Sequence, residues 1–154
     1  MQTATCSTLI AASAAFLLPA AAVAQDCSED PTLSGSSLNG QLVCAYRGDG
    51  LTNPMNRWSE IHNSASSGSA TLGEWGRGDA DPAGSYDPDV GTWSYNNNVI
   101  TYDYGSYDYT WYLCGSSSNA VFCENSCDSG TIAAQVKTII AIPSNTSDSN
   151  PCSW

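Results

Sequence analysis

His62 is the single histidine of the chain, so any Ser-His-Asp or Cys-His arrangement must be built on it. It closes a stretch, Arg57-Trp-Ser-Glu-Ile-His62, that alternates with period two. Trp58, Glu60 and His62 therefore share one face of a strand, a grouping able to do acid/base work or to hold a ligand. No Gly-x-Ser-x-Gly elbow and no paired-histidine zinc motif accompanies them, so no nucleophile stands at a defined spacing. A small hydrolase built on this chain would use Glu60, Glu74 or Glu124 with His62. The plainer reading of the same residues is an ordinary half-exposed strand face.

Carboxylates gather in Gly76 to Asp89, a long acidic loop by its Gly, Pro and Asp content. With Asp79 counted as position 1, Asp81 falls at 3, Gly84 at 6 and Asp87 at 9, as in an EF-hand loop. Positions 5 and 12 are Ala83 and Val90, and no flanking helices are expected, which excludes an EF-hand. What remains is a weaker calcium site on Asp79, Asp81 and Asp87, beside the alternative of a solvated acidic loop. Arg-Gly-Asp occurs at Arg47 to Asp49 and again at Arg77 to Asp79, but Gly-Asp is ordinary turn chemistry.

The richest pattern is aromatic, and register decides what it means. A two-residue turn at Asn97-Asn98 aligns Trp93 with Tyr102 and Tyr95 with Ile100, and sends Thr92, Ser94 and Thr101 to the opposite face. Asn tolerates the positive φ such a turn needs. A second turn at Gly105-Ser106 then pairs Tyr104 with Tyr107, Tyr102 with Tyr109 and Ile100 with Trp111. The outcome is a three-stranded meander with Trp93, Tyr95, Ile100, Tyr102, Tyr104, Tyr107, Tyr109 and Trp111 on one side. On the polar side Asp103 lies opposite Asp108, where like charges cost stability unless solvent or a cation screens them. An aromatic face of this kind is first read as core, but Tyr dominates over Leu, Val and Ile and buried phenol hydroxyls need partners, which keeps the lining of a small-ligand site as the alternative.

Around the meander Gln41 to Tyr46 reads as a strand by its β-type run, Arg57 to His62 by its alternation, and Ala70 to Trp75 as a weaker one. Thr131 to Ile142 could be helix or strand, and its β-branched content and alternation favour a strand ended by Pro143. Residues 25–37 form an irregular lead-in and 144–154 a polar end held by Cys152. No capped segment of helical period appears, so the expected class is all-β: one small antiparallel meander barrel or sandwich spanning 25–154.

Leu9 to Ala24 is an apolar run too short to span a bilayer with margin, and Ala22-Val-Ala24 is a small-x-small cleavage pattern, so residues 1–24 are expected to be a secretory signal. No second long apolar run follows, and no membrane span is expected in the remainder. Beyond the leader stand six cysteines, Cys27, Cys44, Cys114, Cys123, Cys127 and Cys152, an even set in an exported chain. Zinc is the rival for Cys114, Cys123 and Cys127, but paired CxxC knuckles are missing. Disulfides are expected, with Cys27–Cys152, Cys114–Cys123 and Cys44–Cys127 as the pairing. The 15 acidic residues against four basic ones give a net charge of −11, which excludes a reader of the nucleic-acid phosphate backbone.

Val90-Gly-Thr-Trp-Ser94, followed by Val99-Ile-Thr-Tyr-Asp-Tyr-Gly105 and a Tyr-rich strand ending near Cys123, resembles a recurring pattern of small secreted bacterial proteins without an assigned function. Leu38 to Cys44 and Trp58 to His62 fit the same pattern. More loosely, the Gly-x-Trp strand within a meander is similar to lipocalin and avidin-like barrels. The resemblance implies an antiparallel barrel or sandwich and no catalytic residue. Together these readings describe a secreted or periplasmic, monomeric binding module with no cofactor other than a possible calcium ion. Its small ligand or saccharide would rest on Trp93, Tyr102, Tyr104, Tyr109 and Trp111. The alternatives are the hydrolase above and a structural envelope or extracellular protein.

Overall fold

A computed structural model of the chain describes residues 26–27, 33–64, 69–77, 86–144 and 151–154. The leader at 1–24 and the acidic residues 78–85 lie outside them. Eight antiparallel strands, each hydrogen-bonded to its neighbours in sequence, close into a barrel as the last pairs with the first. They are β1 (Gln41–Tyr46), β2 (Arg57–His62), β3 (Ser69–Arg77), β4 (Tyr86–Asn96), β5 (Val99–Asp103), β6 (Asp108–Cys114), β7 (Val121–Glu124) and β8 (Thr131–Ala141). Closure removes every free sheet edge, so no strand is left to template aggregation. Among the described residues no helix is long and apolar enough to cross a membrane.

The meander forms in the expected register, with Trp93 opposite Tyr102, Tyr95 opposite Ile100, Tyr102 opposite Tyr109 and Ile100 opposite Trp111. Asn97 (φ 54°) and Gly105 (φ 79°) supply the positive φ that the two tight turns require. Asp103 does face Asp108, both exposed, and the Asp103 carboxylate accepts the Gly105 amide at 2.7 Å, which ties it to the turn.

The barrel interior is filled by one cluster that includes Val43, Ala45, Leu72, Trp93, Ile100, Tyr102, Trp111, Leu113, Phe122, Ala134 and Val136. One end is stoppered by the lead-in, where a 3₁₀ turn at Gly35–Leu38 buries Leu38 completely. That turn lies flat on the barrel because Gly35 has no side chain: a Cβ there would fall 2.2 Å from Tyr95 Cβ. The segment expected to be irregular throughout is in part a plug. The other end carries the turns after β1, β3, β5 and β7, and the aromatic residues crowd toward it.

Two smaller clusters lie outside the barrel wall, and each is held by disulfides. Cys27–Cys123 and Cys114–Cys127 cross the outer face of β6 and β7, while Cys44–Cys152 fastens the chain end over β1 to β3 beside Leu42, Ile61 and Trp75. Lys137 donates to the carbonyls of Cys152 and Ser153, and the Trp154 ring lies under both Lys137 Nζ (4.9 Å) and Arg57 Cζ (5.3 Å). None of the three expected pairings is the one formed. Cys114 stands opposite Val121 and Cys123 opposite Tyr112, so Cys114 and Cys123 are diagonal neighbours. Diagonal positions sit about 7–8 Å apart, beyond comfortable disulfide reach. Cys44 belongs to the cluster over β1 and Cys127 to the one over β6 and β7, which rules out their union.

With all six cysteines bonded, the chain from residue 25 onward takes up no alkyl group when denatured with iodoacetamide and weighed by mass spectrometry. Uptake of two or more contradicts the pairing. Bridges enclosing 96 and 108 residues remove more unfolded-chain entropy than the one enclosing 13, about 4–5 against about 3 kcal/mol in the loop-closure model.

The acidic segment is shorter than its composition suggests. β3 runs on to Arg77 and β4 begins at Tyr86, so Asp87 and Asp89 are exposed strand residues. Pro88 is accommodated there because the ladder between β3 and β4 shifts register past Leu72 and Glu74.

Candidate functional site

From the end opposite the plug inward, the alternation of β2 turns Trp58, Glu60 and His62 to the interior in that order, as their spacing implies. Ala45 faces Trp58, Val43 faces Glu60 and Gln41 faces His62 across β1. The three residues have different fates with depth. His62 is fully buried, its Nε2 is 2.9 Å from the Tyr102 hydroxyl, and its ring meets Trp93 edge-on with centroids 4.8 Å apart. Burial strips the imidazolium of water and lowers the His62 pKa to about 3, outweighing the backbone around Glu60 and Gln41, which pulls the other way.

Glu60, one step nearer the rim, is buried and accepts a hydrogen bond from the Tyr104 hydroxyl through Oε1. Glu74 stands directly opposite it on β3. Burial first, and then the Glu60 carboxylate, raise the pKa of both Tyr102 and Tyr104; Glu74 adds to the effect on Tyr104. Both phenols remain protonated, and Tyr104 donates to one of a pair of carboxylates at the inner end of the site. The third hydrolase carboxylate, Glu124, ends β7 at the rim and is exposed.

The expected aromatic face divides at the same depth. Trp93, Tyr102 and Trp111 are core, with 1%, 0% and 7% of their surface exposed. Tyr104 is half-buried, while Tyr109 and Tyr107 are 39% and 44% exposed. Neighbouring rings are in contact along the whole series: Tyr107 to Tyr104 at 5.5 Å, Tyr107 to Tyr109 at 5.6 Å, Tyr109 to Trp111 at 5.4 Å and Trp111 to Tyr102 at 5.6 Å between centroids. Such spacings fall within the range of favourable aromatic pairs. A continuous ladder thus runs from solvent into the core, and Trp58 joins it 6.4 Å from Trp111.

Sequence reasoning missed one member of the rim. Arg47, in the turn after β1, lays its guanidinium 5.4 Å from the Trp58 ring centroid and 5.5 Å from that of Trp111, and its Nε donates to the Ala133 carbonyl at 2.9 Å. The signal was present, since Ala45 pairs with Trp58 and Arg47 follows Ala45 by two residues, on the same face. In the sequence it reads only as the start of an Arg-Gly-Asp tripeptide, whose Asp49 instead accepts side-chain amides of Asn53 and Asn56 and has its pKa lowered by them.

Of the calcium candidates, Asp79 and Asp81 lie outside the described residues, and Asp87 is on β4 opposite Glu74. Among the described residues no group of three or more His, Cys, Asp and Glu side chains is placed to hold a metal ion. No family model, curated protein or solved structure matches the chain.

Proposed function

We propose that this chain is an exported, non-enzymatic binding barrel that takes a small ligand, such as a short saccharide, on the tyrosine ladder at its rim. The observation that carries this reading is the division of the aromatic face. Trp93, Tyr102 and Trp111 already have their packing partners inside, whereas Tyr107 and Tyr109 offer ring faces to solvent in continuous contact with them. An eight-stranded barrel is just wide enough for its own side chains or one small ligand, and sites of that kind combine apolar walls with a few fixed polar groups. Glu60 and Tyr104 supply those groups. The resemblance to small secreted proteins, the three disulfides and the signal-like sequence of residues 1–24 support export.

The hydrolase alternative is weakened by His62 itself. A general base needs a pKa near the working pH and access to a reacting proton, and His62 is enclosed, engaged by Tyr102 and neutral far below pH 7.

Titration of the mature protein with tetrasaccharides of glucose and of N-acetylglucosamine, followed by tryptophan fluorescence, tests the proposal. Tyr107→Ala and Tyr109→Ala should each weaken binding about two- to tenfold, the equivalent of about 0.5–1.5 kcal/mol per stacked ring. Failure of both sugars to bind, or binding by both variants as tight as that of the wild type, contradicts it.

A further inference from the structure

Resting on that reading of the rim, we infer that the ligand is anchored by an organic cation, an ammonium or guanidinium group, which takes the place of Arg47 over the paired rings of Trp58 and Trp111. The pair is already capped by a planar cation: the two ring centroids are 6.4 Å apart and the Arg47 guanidinium sits 5.4 and 5.5 Å from them, within the roughly 6 Å over which a ring face attracts positive charge. Arg47 itself is an exposed residue of a surface turn, and its guanidinium donates to the Ala133 carbonyl. A residue so placed can swing out without disturbing the barrel wall.

Charge and geometry beneath the two rings favour a cation further. Glu60 is carried on the same inward face as Trp58, one step deeper, with Glu74 opposite it, so two carboxylates stand below the aromatic walls. Tyr104 fixes the Glu60 carboxylate through its hydroxyl, which holds its negative charge beneath the rings. Tyr109 extends the aromatic wall outward from Trp111. Over longer range the net charge of −11 draws cations toward the rim and repels anions. Arg47 therefore serves as a stand-in for the ligand's cationic group, and a ligand that binds must displace it.

The experiment compares arginine methyl ester, a glucosamine tetramer and its neutral N-acetylated counterpart, titrated at 0.15 M salt into the wild type and into Arg47→Ala. Removing the competitor should tighten binding of both cationic probes at least tenfold and leave the N-acetylated tetramer unchanged. Adding Glu60→Gln, or Tyr109→Leu as a variant at an exposed position that spares the fold, should abolish that gain. Unchanged affinity of the cationic probes in Arg47→Ala overturns the inference, because Arg47 is then a structural clamp. So does preferential binding of the neutral tetramer that still depends on Tyr109, an outcome that leaves the aromatic rim itself standing. Absence of binding by all three probes in both proteins overturns the inference and the binding reading together.

Discussion

Replacing Tyr102 with alanine is expected to cost about 3–5 kcal/mol of unfolding free energy, the range for large aromatic truncations in packed cores. Tyr102 has no exposed surface and packs between Trp111 and Phe122, with ring centroids 5.6 and 6.3 Å away. Its removal leaves a cavity in a wall that cannot collapse, because the strands around it are closed into a ring. It also deprives the buried His62 of its hydroxyl partner, a loss that Tyr102→Phe isolates at about 1–3 kcal/mol. Tyr109→Ala, by contrast, removes a ring already 39% exposed and should cost less than about 1 kcal/mol. Urea denaturation of the three variants measures the contrast. Similar losses for Tyr102→Ala and Tyr109→Ala contradict the division of the aromatic face into core and rim.

A second large effect is expected on acidification. The folded-state pKa of His62, about 3, lies below the ordinary value of 6.5, so the native protein binds fewer protons than the unfolded chain between those limits. Stability from this group is complete above about pH 6.5 and is lost progressively as pH falls toward 3. At about 1.4 kcal/mol per pH unit the loss has an upper bound on the order of 4–5 kcal/mol. His62→Gln keeps a polar partner for Tyr102 and does not titrate. Unfolding free energies followed from pH 7 to pH 3 should therefore fall less steeply for His62→Gln than for the wild type, although the variant starts lower through lost contact with Trp93. Parallel profiles contradict the assignment of His62 as a neutral, enclosed ring.

The barrel wall was legible in the sequence wherever turn chemistry pinned the register. Asn97-Asn98 and Gly105-Ser106 each admit one separation of apolar from polar residues, and from them Trp93, Tyr102, Tyr109 and Trp111 follow onto one face. The alternation of β2 and β8 is equally plain, while β1 reads as a strand only by its β-type run. What lies across the wall was not legible. Disulfide partners depend on which outer-face residues are directly opposite and which are diagonal, and Cys114 and Cys123 differ from a bonded pair only by that offset. The plug at Gly35–Leu38 is a polar tetrapeptide with one leucine, and nothing local announces that Leu38 is buried. The depth at which tyrosines pass from core to solvent is likewise a property of the closed barrel, because Tyr102 and Tyr104 are chemically identical and two residues apart. Arg47 escaped notice because its role is set by Trp58 across the hairpin and Trp111 across the mouth.

The most direct test of the binding account is a map of the aromatic ring resonances by ¹H–¹³C NMR in the mature protein, recorded during titration with the saccharide or cationic probe that binds best. The account predicts shifts at Tyr104, Tyr107, Tyr109, Trp58 and Trp111, while Trp75 and Trp154, which lie outside the barrel under the fastened chain end, stay in place. Shifts concentrated on Trp75 and Trp154 with an unchanged tyrosine ladder would contradict it.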